Sequence, residues 1–167
     1  KMRAAKGIPS TAAITPLQFC EKYCQYVDEG YTDVIHVPIN RSGSSTYNNA
    51  VMAQGMLREE RPEHHLKIHL LDPHTYSMPF GWYVCEMARK LKNGAEISHV
   101  IHEFEAQMDK IEIVLGPFSL KQMKKSGRIS AAAAVMGELM GIRPIITLID
   151  GRTKVEAKVR GDDKVVP

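Results

Sequence analysis

The sequence predicts an α/β fold, a parallel sheet flanked by helices, followed by the start of a second, α+β unit. Three observations carry this. Short β-branched runs alternate with stretches of helical apolar spacing, the links between them are short, and the pattern changes character after Gly116.

The elements follow in order. Residues 19–26 carry apolar side chains at helical spacing behind Pro16, a suitable first-turn proline. "DVIHVPI" (33–39) is a short β-branched run closed by polar residues, the pattern of a buried strand. Residues 46–57 turn helical, "KIHLLD" (67–72) is a second strand, and residues 81–91 form a second amphipathic helix closed by Gly94. A further helix over 97–108 leads to a third strand, "IEIVLG" (111–116). Three parallel strands would leave sheet edges unpaired, so this domain, residues 1–116, reads as incomplete. Beyond it, residues 117–167 begin another domain. Helices are expected over 120–125 and 131–140, and "RPIITLID" and "TKVEAKVR" flank Asp150-Gly151, a hairpin turn signal.

Composition narrows the function classes. The chain has 167 residues, 44% hydrophobic and 25% charged, as a soluble globular protein does. A net charge of +3 is too mild to argue for nucleic acid, and no basic stripe alternates with aromatics. No apolar run approaches the roughly 20 residues that span a bilayer. "KMRAAKG" lacks the apolar segment of a signal peptide, and three cysteines without secretory context point to reduced thiols in the cytoplasm. Cys20 and Cys24 share a helix face, but no further zinc ligand stands near them in sequence, so they read as buried thiols. His64, His65, His69 and His74 read as surface residues, because strand alternation would not hold the first three on one face. Trp82, Met87, Met136 and Met140 read as core.

The least ordinary stretch is "INRSGSSTYNNA" (39–50), where a strand feeds a hydroxyl-rich turn and then a helix. Such a turn presents unpaired N–H groups and hydroxyls at a helix N-terminus, at the carboxyl end of a strand where α/β proteins bind ligands. Three readings stand side by side. Ser44 or Ser45 is a helix cap; the turn is an anion site; or a serine is a nucleophile, although G-x-S-x-G and the P-loop pattern are both absent. "KKSGR" and "KVR" are either solvated basic segments or anion and partner contacts through Arg128 and Arg160.

Taken together, six pieces resemble the DegV family of bacterial fatty-acid-binding proteins. A T-S-Q-P-S-P-x-x-F-like stretch stands as "TAAITPLQF" (11–19), and S-S-x-L-S-G-T-Y as "NRSGSSTY" (40–47). A D-S strand end stands as Asp72-Pro73, and L-x-x-L-K-K-G-G-R-I-S as "LKQMKKSGRIS" (120–130). The I-K-P-I-L and D-G pair stands as "IRPII" and Asp150-Gly151, and K-x-R as residues 158–160. The resemblance covers nearly the whole chain and implies the middle of a longer protein. It implies a carrier rather than an enzyme, with no cofactor and no metal. A long-chain, palmitate-like fatty acid would lie in an apolar cavity, its carboxylate held by hydroxyls, and would be presented to a fatty acid kinase for acyl-phosphate formation. Residue by residue, Thr11 and Ser44 match the carboxylate-holding pair; Ser10, Ser45, Arg128 and Arg160 are candidate head-group or partner contacts. The alternative from another class is a small-molecule enzyme or binding protein taking a phosphorylated metabolite at the same turn. Ala12, Gly43 and Ser45 depart from the family pattern: a hydroxyl is lost, a pocket-walling leucine is lost, and a side chain replaces glycine.

Overall fold

A computed structural model describes residues 10–118, 140–149 and 152–165. They belong to two compact units: Ala13–Ile111 with Arg152, and the described parts of Lys1–Ala12, Glu112–Ile149 and Thr153–Pro167.

In the first unit, α1 (Pro16–Asp28) opens on a capping box. Thr15 Oγ1 accepts from the Gln18 amide at 3.3 Å, and Gln18 Oε1 accepts from the Thr15 amide at 3.0 Å. Thr15→Ala is expected to remove about 1 kcal/mol of stability, read as a lowered urea midpoint with an unchanged slope. β1 (Asp33–His36) stops short of the expected residue 39, because Pro38 has no N–H to give a ladder. α2 (Thr46–Glu60) follows, then β2 (Lys67–Leu70), which pairs with β1 in parallel register from Asp33↔Lys67 to His36↔Leu70. α3 (Met78–Lys92) starts three residues earlier than its apolar spacing indicates, because Pro79 occupies a first-turn position. α4 (Ile97–Met108) has the expected bounds.

Strand alternation divides the core between the two sheet faces. On one face, Val34, Ile68 and Leu70 pack with Phe19, Tyr23, Ala50, Ala53 and Leu57 of α1 and α2. On the other, Ile35, Val37 and Leu71 pack with Met87, Val100, Phe104 and Met108 of α3 and α4. Met87 is core as expected; Trp82 and Met140 are more than half exposed, and Met136 lies outside the described residues. Trp82 instead lays its ring edge-on to Tyr83, with centroids 4.8 Å apart. An apolar cleft of about 620 Å³, lined by Ile35, Val37, Phe80, Val84 and Leu91, runs beside β1.

The buried helix face of α1 also reaches the last residue of β1. Tyr23 Oη lies 2.6 Å from His36 Nδ1, and the Phe19 ring is 4.9 Å from the imidazole. Burial pushes the Tyr23 hydroxyl up and the imidazole below its usual range, so the phenol donates and Nδ1 accepts. A histidine whose folded pKa is depressed contributes stability that is complete above its unfolded value of about 6.5, and that is lost as pH falls through the folded value. Melts taken between pH 7.5 and 5 should therefore show a loss of stability that flattens in His36→Gln; an equal slope in both proteins would show that other groups cause it.

The third expected strand does not join the parallel sheet. β3 (Ile113–Leu115) pairs antiparallel with β4 (Ile142–Ile149), from Ile113↔Leu148 to Leu115↔Ile146, and β5 (Arg152–Arg160) lies next in the order β3-β4-β5. A short apolar run does not by itself tell a parallel partner from an antiparallel one. This second unit carries a Thr147–Glu156 hydrogen bond at 2.9 Å and an Arg143–Asp162 ion pair at 2.7 Å. The helix expected over 120–125, the one expected over 131–140 apart from Met140, and the Asp150-Gly151 turn lie outside the described residues.

Candidate functional site

Two loops leave the carboxyl ends of the two parallel strands, and their side chains hold each other. After β1 the chain passes buried Pro38 and buried Asn40. The Asn40 side-chain oxygen accepts from the Ser42 amide at 3.0 Å, and its backbone carbonyl accepts from Gly43 at 3.2 Å. This asparagine turn folds the hydroxyl cluster back toward α2. After β2, the mostly buried Asp72 accepts from the amides of His74, at 3.0 Å, and Arg41, at 3.4 Å. Its other oxygen faces Arg41 Nε at 3.6 Å, and the Arg41 guanidinium lies 5.8 Å from the Tyr47 ring centroid.

Ser44 is the cap. Its Oγ accepts from the Thr46 amide at 3.2 Å and shares a hydrogen bond with Thr46 Oγ1 at 2.8 Å. Two hydroxyls have two protons, and the bond between them uses one. Among the described residues the other has no acceptor, and it stands at the positive end of a 15-residue helix. Ser45 occupies the formal N-cap position but makes no side-chain cap bond, and it is exposed. Among the described residues neither a histidine nor a carboxylate is hydrogen-bonded to Ser44, so the turn offers hydroxyl donors without a general base.

The other candidates fall as follows. Ser10 and Thr11 are exposed and belong to the second unit. The rest of their stretch is tied to the turn: Asn49 Nδ2, in the first turn of α2, donates to the Ile14 carbonyl at 2.7 Å. Arg160 ends β5, exposed, with no ion pair among the described residues; Arg128 lies outside them. Among the four histidines, His65 and His74 are exposed as expected. His64 and His69 are half-buried, and His69 binds Asp33 at 2.8 Å.

One residue that sequence reading missed is Tyr76. A Cβ added to Gly43 would stand 1.6 Å from Tyr76 Oη and 2.7 Å from its Cζ. The tyrosine of the β2–α3 loop therefore fills the place of a side chain at position 43. Gly43 standing for leucine was the signal that something fills this space, but the residue that fills it comes from 33 positions away and has no local pattern. Beside it Thr75 is 3% exposed, and its hydroxyl has no hydrogen-bond partner among the described residues.

Comparison with known proteins matches residues 1–167 to a family model described as "Uncharacterised protein, DegV family". A DegV domain-containing protein of Clostridium acetobutylicum is 32% identical over 161 residues, which are 96% of this chain and 55% of that protein. The chain thus spans about half the length of the curated relatives it matches. A crystal structure of a fatty acid binding DegV family protein from Streptococcus agalactiae superposes with a TM-score of 0.78 at 28% identity, covering 98% of this chain and 56% of that one. The Streptococcus pneumoniae fatty acid kinase B3 protein, loaded with linoleic acid, matches with the same TM-score at 22% identity, covering 99% and 57%. Among the described residues no helix is long and apolar enough to cross a membrane.

Proposed function

The chain belongs to the DegV family, and from that premise we propose that it binds a long-chain fatty acid whose carboxylate is held by the hydroxyls of Ser44 and Thr11. The observation that carries the reading is the Ser44–Thr46 hydroxyl pair with one proton to spare at the N-terminus of α2. A fatty acid gains about 0.8 kcal/mol for each buried CH₂, so a long tail supplies most of the affinity. Its carboxylate then needs donors, because an unpaired buried charge costs several kcal/mol or more. Neutral hydroxyls and helix amides satisfy it without an ion pair.

The Streptococcus agalactiae protein is named for fatty acid binding, and the Streptococcus pneumoniae protein is a fatty acid kinase component carrying linoleic acid. By that likeness the protein would present its acid to a cytoplasmic kinase that forms the acyl phosphate. Ser10, Ser45, Arg128 and Arg160 would be the further head-group or partner contacts. The test is solvent extraction of the purified full-length protein followed by mass spectrometry. A stoichiometric long-chain acid is the expected result; lipid-free protein that instead binds a sugar phosphate tightly would replace this reading with that of a metabolite site.

A further inference from the structure

Cys20 and Cys24 lie one turn apart on the buried face of α1, and the packing of α1 on α2 brings Glu60, the last residue of α2, against them. One ligand atom from each of the three lies within 4.8 Å of the other two. Cys20 Sγ and Glu60 Oε2 are 3.4 Å apart. In a tetrahedral zinc site, a thiolate at about 2.3 Å and a carboxylate oxygen at about 2.0 Å are separated by about 3.5 Å. Cys20 and Glu60 therefore already stand at ligand spacing, with Cys24 Sγ within 4.8 Å of both. Among the described residues the Glu60 carboxylate forms no ion pair: Arg61 beside it donates to the Glu60 backbone carbonyl at 3.4 Å and faces Asp28 at 3.9 Å, and the carboxylate's partner is the Cys20 thiol.

We propose that Cys20, Cys24 and Glu60 form a binding site for a divalent cation that favours thiolates, Zn²⁺ above all. Two sulfurs and one oxygen exclude the hard cations, which take all-oxygen sets. Glu60 is exposed, so the fourth position opens on that side and is taken by water. Binding exchanges the two thiol protons for the metal and releases them to solvent. The site is separate from the hydroxyl-rich turn, because the two lie at opposite ends of the 15-residue α2, about 20 Å apart. Its role is to clamp the middle of α1 to the end of α2. Sequence spacing shows only the two cysteines of such a site; the third ligand stands 36 residues on, and the fold supplies it.

The test uses the full-length protein, reduced and stripped of metal, titrated with Co²⁺ and then with Zn²⁺. The expected result is one equivalent bound, a near-ultraviolet thiolate-to-cobalt absorption that Zn²⁺ abolishes, and a melting temperature raised by Zn²⁺. Glu60→Gln leaves the fold intact, since the residue is exposed, yet weakens Co²⁺ binding by about 100-fold or more, beyond the cost of losing an outer partner. Cys24→Ser lowers the sulfur absorption. Absence of that absorption, or an affinity the same in Glu60→Gln as in the parent, would overturn the proposal and leave the cysteines as packing thiols. Should Cys24→Ser fail to fold, the Glu60 variant decides alone.

Discussion

Purified protein carrying Ser44→Ala and Thr11→Ala is expected to lose its fatty acid while its far-UV spectrum stays that of the parent. A hydrogen bond to a charged group is worth about 1.5–3 kcal/mol, so losing both donors should weaken retention by roughly 10²–10⁴-fold. Ser44 has an observed role as a cap and a proposed one as a carboxylate donor, and the two separate in the measurement. As a cap it holds the Thr46 amide, and losing that contact costs about 1 kcal/mol of folding stability. As a carboxylate donor its loss appears only in ligand content. Ser45→Ala is the comparison: the side chain is exposed and caps nothing, so stability should not change, and any loss of lipid should be far smaller than in the double variant. Full retention in the double variant would refute the carboxylate assignment, and a loss in Ser45→Ala as large as in the double variant would move it one residue along.

How far the sequence disclosed this molecule depends on whether the signal is local. Helix starts were local. Pro16 marked the start of α1, whose Thr15–Gln18 capping box only the structure showed, and the hydroxyl cluster announced the turn before α2. The parallel β1–β2 pair was legible because "DVIH" and "KIHL" are separated by one helix, the spacing of a crossover. The partner of β3 was not, since an apolar run of three to six residues fits either sheet direction. At the site, sequence pattern singled out the hydroxyl-rich turn with Ser44 or Ser45 as its cap, and the family resemblance supplied Ser44 and Thr11. It missed what positions the turn: Asn40 folding the loop, Asp72 gripping the Arg41 amide, Tyr76 lying on Gly43. Each of these joins residues through tertiary packing, where type and spacing carry no trace of the pairing. The same reason hid Glu60 from the two cysteines.

Gly43→Leu should disturb the turn strongly, and Tyr76→Ala in the same chain should largely repair it. A side chain at position 43 enters the space of the Tyr76 hydroxyl and ring carbon, so the ring must swing out of the loop and lose its packing. Overpacking of this kind costs about 1–3 kcal/mol. Tyr76→Ala alone leaves a void over Gly43 and costs stability by the opposite route. Combined, the two restore a filled space, with leucine on the turn as the family pattern has it. A double-mutant cycle on thermal or urea melts should therefore give a coupling of about 1–3 kcal/mol in the favourable sense. Additive single effects would mean that the two positions do not share one volume. The exchange also alters chemistry: a leucine presents methyl groups beside Ser44 where Tyr76 presents a hydroxyl. If the turn holds a carboxylate, the double variant keeps its fold and its fatty acid, but with a less polar wall next to the head group. Ligand content measured beside the melts separates a repaired loop from a repaired site.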